Sequence, residues 1–236
     1  MARTKRFHIS CCGRSGSKFI AAAIRNMGFS VIHEMGDDWP IEIDEGVSFF
    51  ASNPRVFANY DGIVGWKWSL LTPRYAERFP IQIHLVRHPV GAIESATTHA
   101  DSLFTSIERR LKAPSFIDDS LSEEMVRLGR AVNYWIEYNK TIGEGKRTIR
   151  LEDFRPGGDS ANIFCELTGT PTEAQQLIAG VSTATNARPE AKRRVKTSWE
   201  ILDAVFPEQA AILKEMAVGY GYEVASAENV QASSRI

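Results

Sequence analysis

The most constraining feature lies near the N-terminus. A short, mostly apolar run, Phe7 to Cys12, breaks at Gly13-Arg14-Ser15-Gly16-Ser17 and passes into Lys18 to Met27, where Ala and Ile recur at helical spacing. This reads as strand, glycine-bearing turn, helix. Gly28 then stops the helix, as a C-terminal glycine often does. The glycines of the turn let the backbone approach a ligand closely, and the helix N-terminus offers unpaired N–H groups to an anion. Taken alone, the loop reads equally well as an ordinary tight turn.

The rest of the chain repeats the alternation. Ser30 to His33, Ile63 to Trp68, Ile81 to Val86 and Arg147 to Leu151 are strand candidates. Ile81 to Val86 is the clearest buried strand and ends at Arg87-His88-Pro89. Helical patterns cover residues 72–79, 90–98, 121–142, 160–167, 172–178 and 207–220. Strands alternating with helices predict a three-layer α/β/α fold around a central parallel sheet of about five strands. Ligands of such sheets sit at the carboxyl ends of the strands. One domain over residues 1–224 and a mobile polar tail over 225–236 complete the expected organisation.

Composition narrows the function classes. A chain of 236 residues can bury a core without disulfides or metals. The formal net charge of -1 supplies no global basic field for nucleic acid or anionic membrane. The three cysteines, Cys11, Cys12 and Cys165, have no metal-ligand spacing and fit a reducing compartment. Basic Arg3, Lys5 and Arg6 precede an apolar run too short for a secretory signal. No run approaches the ~18 apolar residues of a membrane span. The expectation is a cytoplasmic protein with no membrane span and no nucleic-acid partner.

An ATP-type phosphate loop would place Ser or Thr after its lysine to hold magnesium. Here Phe19 follows Lys18. Three stretches instead resemble, in order, the sulfotransferases that use 3′-phosphoadenosine-5′-phosphosulfate (PAPS), proteins of P-loop NTPase-like fold. Cys12-Gly13-Arg14-Ser15-Gly16-Ser17-Lys18-Phe19 is similar to that family's 5′-phosphosulfate loop. Ile83 to Ser95 resembles its 3′-phosphate motif, a strand ending in Arg, then Pro, then a helical Ser. Leu151-Glu152-Asp153-Phe154 is similar to its Tyr-Glu-Asp-Leu. The likeness spans about residues 5 to 200 and is faint over 35–60 and 100–120.

The resemblance implies a bacterial-type, PAPS-dependent sulfotransferase that leaves 3′-phosphoadenosine 5′-phosphate (PAP). It acts without metal on a small-molecule or glycan acceptor. Arg87 and Ser95 would hold the 3′-phosphate. Gly13, Arg14, Ser15, Gly16, Ser17, Lys18 and Phe19 form the cofactor loop, with Arg14 where relatives carry a lysine on the phosphosulfate. Arg194, in the cluster Arg193, Arg194, Lys196, either stands for the late basic loop that closes the site, without that loop's glycine, or belongs to a solvated charge run. His88 replaces the usual Asp, and Leu151 replaces a Tyr that helps hold adenine.

For the acceptor proton, Glu34 at the end of the second strand is the first candidate base and His33 the second. Lys67, in Gly65-Trp66-Lys67-Trp68, could stabilise the leaving oxygen or sit as a packed surface cation. The stretches 35–61, loops with short helical pieces, and 100–120, an irregular or helical excursion, would flank the acceptor. Trp39, Phe49, Phe50, Tyr60 and Phe104 line a pocket there or belong to the core. A P-loop small-metabolite kinase and a non-catalytic nucleotide-binding relative are the alternatives.

Overall fold

The computed structural model of the chain describes residues 6–34, 59–69, 79–99, 101–112, 117, 120–181 and 194–224. The expected helix over 72–79 falls almost entirely outside them. Trp39, Phe49, Phe50, Arg193 and the tail 225–236 lie outside them as well.

Five strands form one parallel sheet. They are β1 (Phe7–Cys11), β2 (Val31–His33), β3 (Gly62–Gly65), β4 (Ile81–Val86) and β5 (Arg147–Arg150), in the spatial order β2-β3-β1-β4-β5. β1 is central, with Ser10 opposite Gly65 on one side and His84 on the other. The chain runs from β1 outward to β2, then crosses back over β1 to β4. The order therefore reverses beside the end of β1, where such sheets open a crevice for ligands.

Each strand feeds two cores because alternate side chains point to opposite faces. Phe7, Ile9 and Cys11 of β1, with Ile83 and Leu85 of β4, pack against Ile20, Ala21 and Ile24 of α1 (Ser17–Asn26) and Phe164 of α6 (Asp159–Thr168). Phe7, Phe29 and Phe164 meet edge to face at centroid distances of 5.1 to 5.6 Å. The opposite face is covered by α3 (Pro89–Ala96), α4 (Asp101–Leu111), the long α5 (Glu123–Gly143), α7 (Trp199–Val205) and α8 (Pro207–Gly219). Leu128, Val132 and Trp135 of α5 meet Ile93 of α3 and Leu213 of α8 there. Each fully buried Ile, Leu or Phe of these cores contributes roughly 1.5–3 kcal/mol.

Beneath α5 the sheet carries polar residues. His8 and Ser10 of β1 and His84 of β4 are buried. Asn139 donates from Nδ2 to the Trp135 carbonyl, so its Oδ1 receives the Nε2–H of His84 at 2.9 Å. That leaves the Nδ1 lone pair of His84 against Gly143, with no hydrogen-bond partner among the described residues. Lys146 donates to Ser10 Oγ at 3.0 Å.

One local expectation changes. Ile63 to Trp68 is not one strand: β3 ends at Gly65, and Trp66–Ser69 turns as a short helix, α2. Gly65 has a φ of 151°, and the Glu34 carboxylate accepts the Trp66 N–H. A long-range cap thus starts a helix that local periodicity does not announce. Residues 172–180 form the expected helix, of 3-10 type, and residues 101–111 take the helical alternative as α4. Phe104, on α4, is core.

Candidate functional site

The site begins in the turn between β1 and α1. Arg14 has a φ of 71° and Gly16 a φ of 83°. A left-handed arginine is a strained residue of the kind that clusters at ligand sites. Gly16 is the residue before α1, and no side chain caps the helix there. A Cβ on Gly16 would lie 2.5 Å from Leu151 Cδ2, the movable end of a side chain, so the left-handed backbone is the stronger reason for glycine here. Ser15 turns inward, its Oγ 2.9 Å from Cys12 Sγ. Burial raises the Cys12 thiol to about 11, which keeps it protonated.

The second component comes from the exit of β4. Pro89 opens α3 at a position where its missing N–H costs nothing. This sets Ser95 two turns into the helix, 7% exposed. Arg14 donates from Nε to Ser95 Oγ at 2.8 Å. Arg87 donates from Nη1 to the Arg14 carbonyl at 3.1 Å. Two guanidinium groups and one hydroxyl, separated by up to 81 positions in sequence, thus converge on one spot.

These residues line a cleft of about 920 Å³. Its walls carry Arg14, Gly16, Ser17, Lys18 and Phe19 from the loop and α1, and His33 and Glu34 from the end of β2. Arg87 and Ser95 come from β4 and α3, and Arg194 from the late segment. Gly13 and Ser15 lie beneath the wall, not on it. Lys67 falls in α2, and its side chain lies outside the described residues. Five cations (Arg14, Lys18, Arg87, Arg155, Arg194) face three carboxylates (Glu34, Glu94, Glu152) across the cleft. A cationic surplus here contrasts with the net charge of -1 for the chain. Such local fields draw anionic ligands.

Trp66, Gly91, Glu94, His99, Glu152 and Arg155 also reach the cleft, and no motif read from the sequence singles out a role for them. Gly91 and Glu94 fall inside the patterned stretch 83–95 and Glu152 inside 151–154, where the pattern gives roles to Arg87 and Ser95 instead. Gly91 faces the Arg87 guanidinium, where a Cβ would sit 3.3 Å from Nη2. Glu152 accepts from the His88 N–H at 3.1 Å and from the Tyr222 hydroxyl at 2.7 Å, tying the end of β4 to the last described turn.

The two candidate bases differ in environment. His33 Nε2 lies 3.0 Å from Ser17 Oγ. Burial, then Arg25 and Lys18, lower its pKa to about 4, so it is neutral at physiological pH. Glu34 accepts from Trp66 N–H through Oε1 and rests on Gly65, where a Cβ would come within 2.5 Å of Glu34 Cγ.

A strap runs along the rim. Arg194 lies 3.7 Å from Glu94 Oε1, Thr197 N–H reaches Glu94 Oε2 at 3.3 Å, and Val195 N–H reaches Thr97 Oγ1 at 3.0 Å. The segment 194–197 is therefore hydrogen-bonded to the helix that bears Ser95.

No family model matches the sequence, and no curated protein matches it. Among solved structures, the chain is similar to a crystal structure of mouse sulfotransferase SULT7A1 complexed with PAP, at 14% sequence identity. The match covers 92% of this chain and 90% of that one, with a TM-score of 0.48.

Proposed function

We propose that the chain is a sulfotransferase that binds PAPS and moves its sulfuryl group to a hydroxyl or amine of an acceptor. The convergence of Arg14, Arg87 and Ser95 beside an uncapped helix N-terminus carries this reading. A nucleotide bearing phosphate at both ends of one ribose needs two anion sites within one nucleotide's reach. The loop with the α1 N-terminus supplies one, and the end of β4 with α3 supplies the other. Between them, Phe19 and Leu151 give the cleft an apolar stretch suited to a purine.

In this assignment Arg87, Ser95 and Arg194 hold the 3′-phosphate. Main-chain N–H groups of Gly16, Ser17 and Lys18, with the Lys18 side chain, hold the 5′ end. Arg14 spans the two and offsets negative charge that builds on the 5′ leaving oxygen, a task shared with Lys67. PAPS supplies the sulfuryl group itself. Glu34, a cleft-lining carboxylate at the end of β2, takes the proton of the acceptor hydroxyl. Its attachment to the Trp66 N–H fixes the carboxylate's direction.

The test is calorimetric titration of the whole chain, without metal, with PAP and separately with ATP plus magnesium. Binding of PAP without metal, tighter than ATP with magnesium, is the expected result. Preference for ATP with magnesium would overturn the reading in favour of phosphoryl transfer.

A further inference from the structure

Two tyrosines of α5, Tyr134 and Tyr138, each hold one backbone group, Gly13 beneath the wall of the cleft and Trp66 on it. The Tyr134 hydroxyl accepts the N–H of Gly13, and the Tyr138 hydroxyl donates to the carbonyl of Trp66. Both rings are buried, 3% and 0% exposed, and they meet edge to face at 5.3 Å. The match is geometric. Gly13 follows β1 and Trp66 follows β3, and those strands are paired neighbours. Adjacent strands lie about 4.8 Å apart, and one turn of helix rises about 5.4 Å. Residues four apart on one helix can therefore serve the ends of two adjoining strands. A tyrosine hydroxyl both donates and accepts, so the same side chain meets an N–H at one strand end and a carbonyl at the other.

The residues held are the ones immediately before Arg14 and Lys67. Tyr138 and Glu34 also grip the same residue from its two sides, Glu34 taking the Trp66 N–H and Tyr138 reaching its carbonyl. The α2 turn is pinned further by Ser69, which receives the Cys11 N–H at 2.8 Å and lies 2.9 Å from the Gly65 carbonyl. We propose that Tyr134 and Tyr138 are positioning residues with divided duties: Tyr134 holds the donor loop, and Tyr138 holds the turn carrying Lys67 and the direction of Glu34. The inference rests on the sulfuryl-transfer reading, because it assigns the two loops to donor binding and to transfer. Neither residue touches the nucleotide; each acts through a peptide group.

The test compares Tyr134→Phe, Tyr138→Phe and Gly13→Ala in the whole chain. Two quantities are read: the Kd for PAP, and release of PAP from saturating PAPS with water as the acceptor. Tyr134→Phe leaves the buried Gly13 N–H unpaired and raises the Kd roughly 10- to 100-fold, with release at saturation lowered by a smaller factor through Arg14. Tyr138→Phe leaves the Kd within about twofold and lowers release roughly tenfold or more, since reacting groups lose alignment. Gly13→Ala pushes a Cβ to 2.6 Å from the Tyr134 oxygen and should reproduce the Tyr134→Phe loss with the tyrosine intact. It carries the donor arm should Tyr134→Phe not fold. A merely structural role would lower thermal stability in all variants without this split. Equal effects on both readouts, or none, would overturn the inference while leaving PAP binding by the unaltered chain intact. Failure of the unaltered chain to bind PAP would overturn the function and this inference together.

Discussion

Replacing Arg87 by Ala separates the two phosphate sites. Among the described residues the guanidinium donates from Nη1 to the Arg14 carbonyl at 3.1 Å, and its Nη2 and Nε lie toward Gly91. A charged hydrogen bond to phosphate contributes about 1.5–3 kcal/mol. Two such bonds in a half-open cleft, partly screened, give a loss of about 3 kcal/mol, or roughly 150-fold in the Kd for PAP. Freeing the Arg14 carbonyl loosens the loop as well, by about 1 kcal/mol or roughly fivefold. Adenosine 5′-phosphate lacks the 3′-phosphate and should register only that smaller share. Calorimetry with both nucleotides at one ionic strength therefore predicts a difference of about 150-fold between them. The fold should survive, because a loss of about 1 kcal/mol lowers Tm by only about 2–4 °C in a chain of this size. Arg87→Lys retains charge but not the planar fork and should recover only part of the affinity. Equal losses for the two nucleotides would show that Arg87 acts on the loop alone and would refute the 3′-phosphate assignment.

Glu34→Gln keeps an oxygen for the Trp66 N–H while removing the base. Turnover should fall roughly 10²- to 10⁴-fold with PAP affinity unchanged, and full activity would move the proton elsewhere. Acid should unfold the protein through His8 and His84. Burial, reinforced by the charge of Lys146, lowers these to about 3 and about 4, against 6.5 in the unfolded chain. Between those values and pH 6.5 the unfolded state binds more protons, so stability is full above pH 6.5 and declines as pH falls toward 4. Each histidine then costs about 1.4 kcal/mol per pH unit. Denaturant midpoints from pH 7 to 4.5 should show this slope reduced in His84→Gln, and an unchanged slope would contradict it. Gly16→Ala forces a left-handed alanine, about 1–2 kcal/mol, and displaces Leu151. Urea unfolding should show a larger loss than that, partly recovered by adding Leu151→Ala.

Much of the architecture is legible in local patterns. Phe7 to Met27 and Ile81 to Thr98 announce their strands, turns and helices because hydrophobic period, glycine and Pro89 all act within a few residues. The presence of Arg14, Arg87 and Ser95 is legible for the same reason, as residues at a strand exit or two turns beyond it. Helix α2 is not legible, because its cap is Glu34, 32 positions before Trp66. The strap on Glu94 and the tyrosine pair on α5 are equally hidden, since Tyr134 stands 121 positions from the Gly13 N–H it receives. What composition and spacing determined was a list of strands, helices and charged groups. Only the tertiary structure decided which of them meet, because the β2-β3-β1-β4-β5 order is set by hydrogen bonding and burial between distant segments. That order puts the ends of β1 and β4 side by side, and with them two cations and a hydroxyl from opposite ends of an 81-residue stretch.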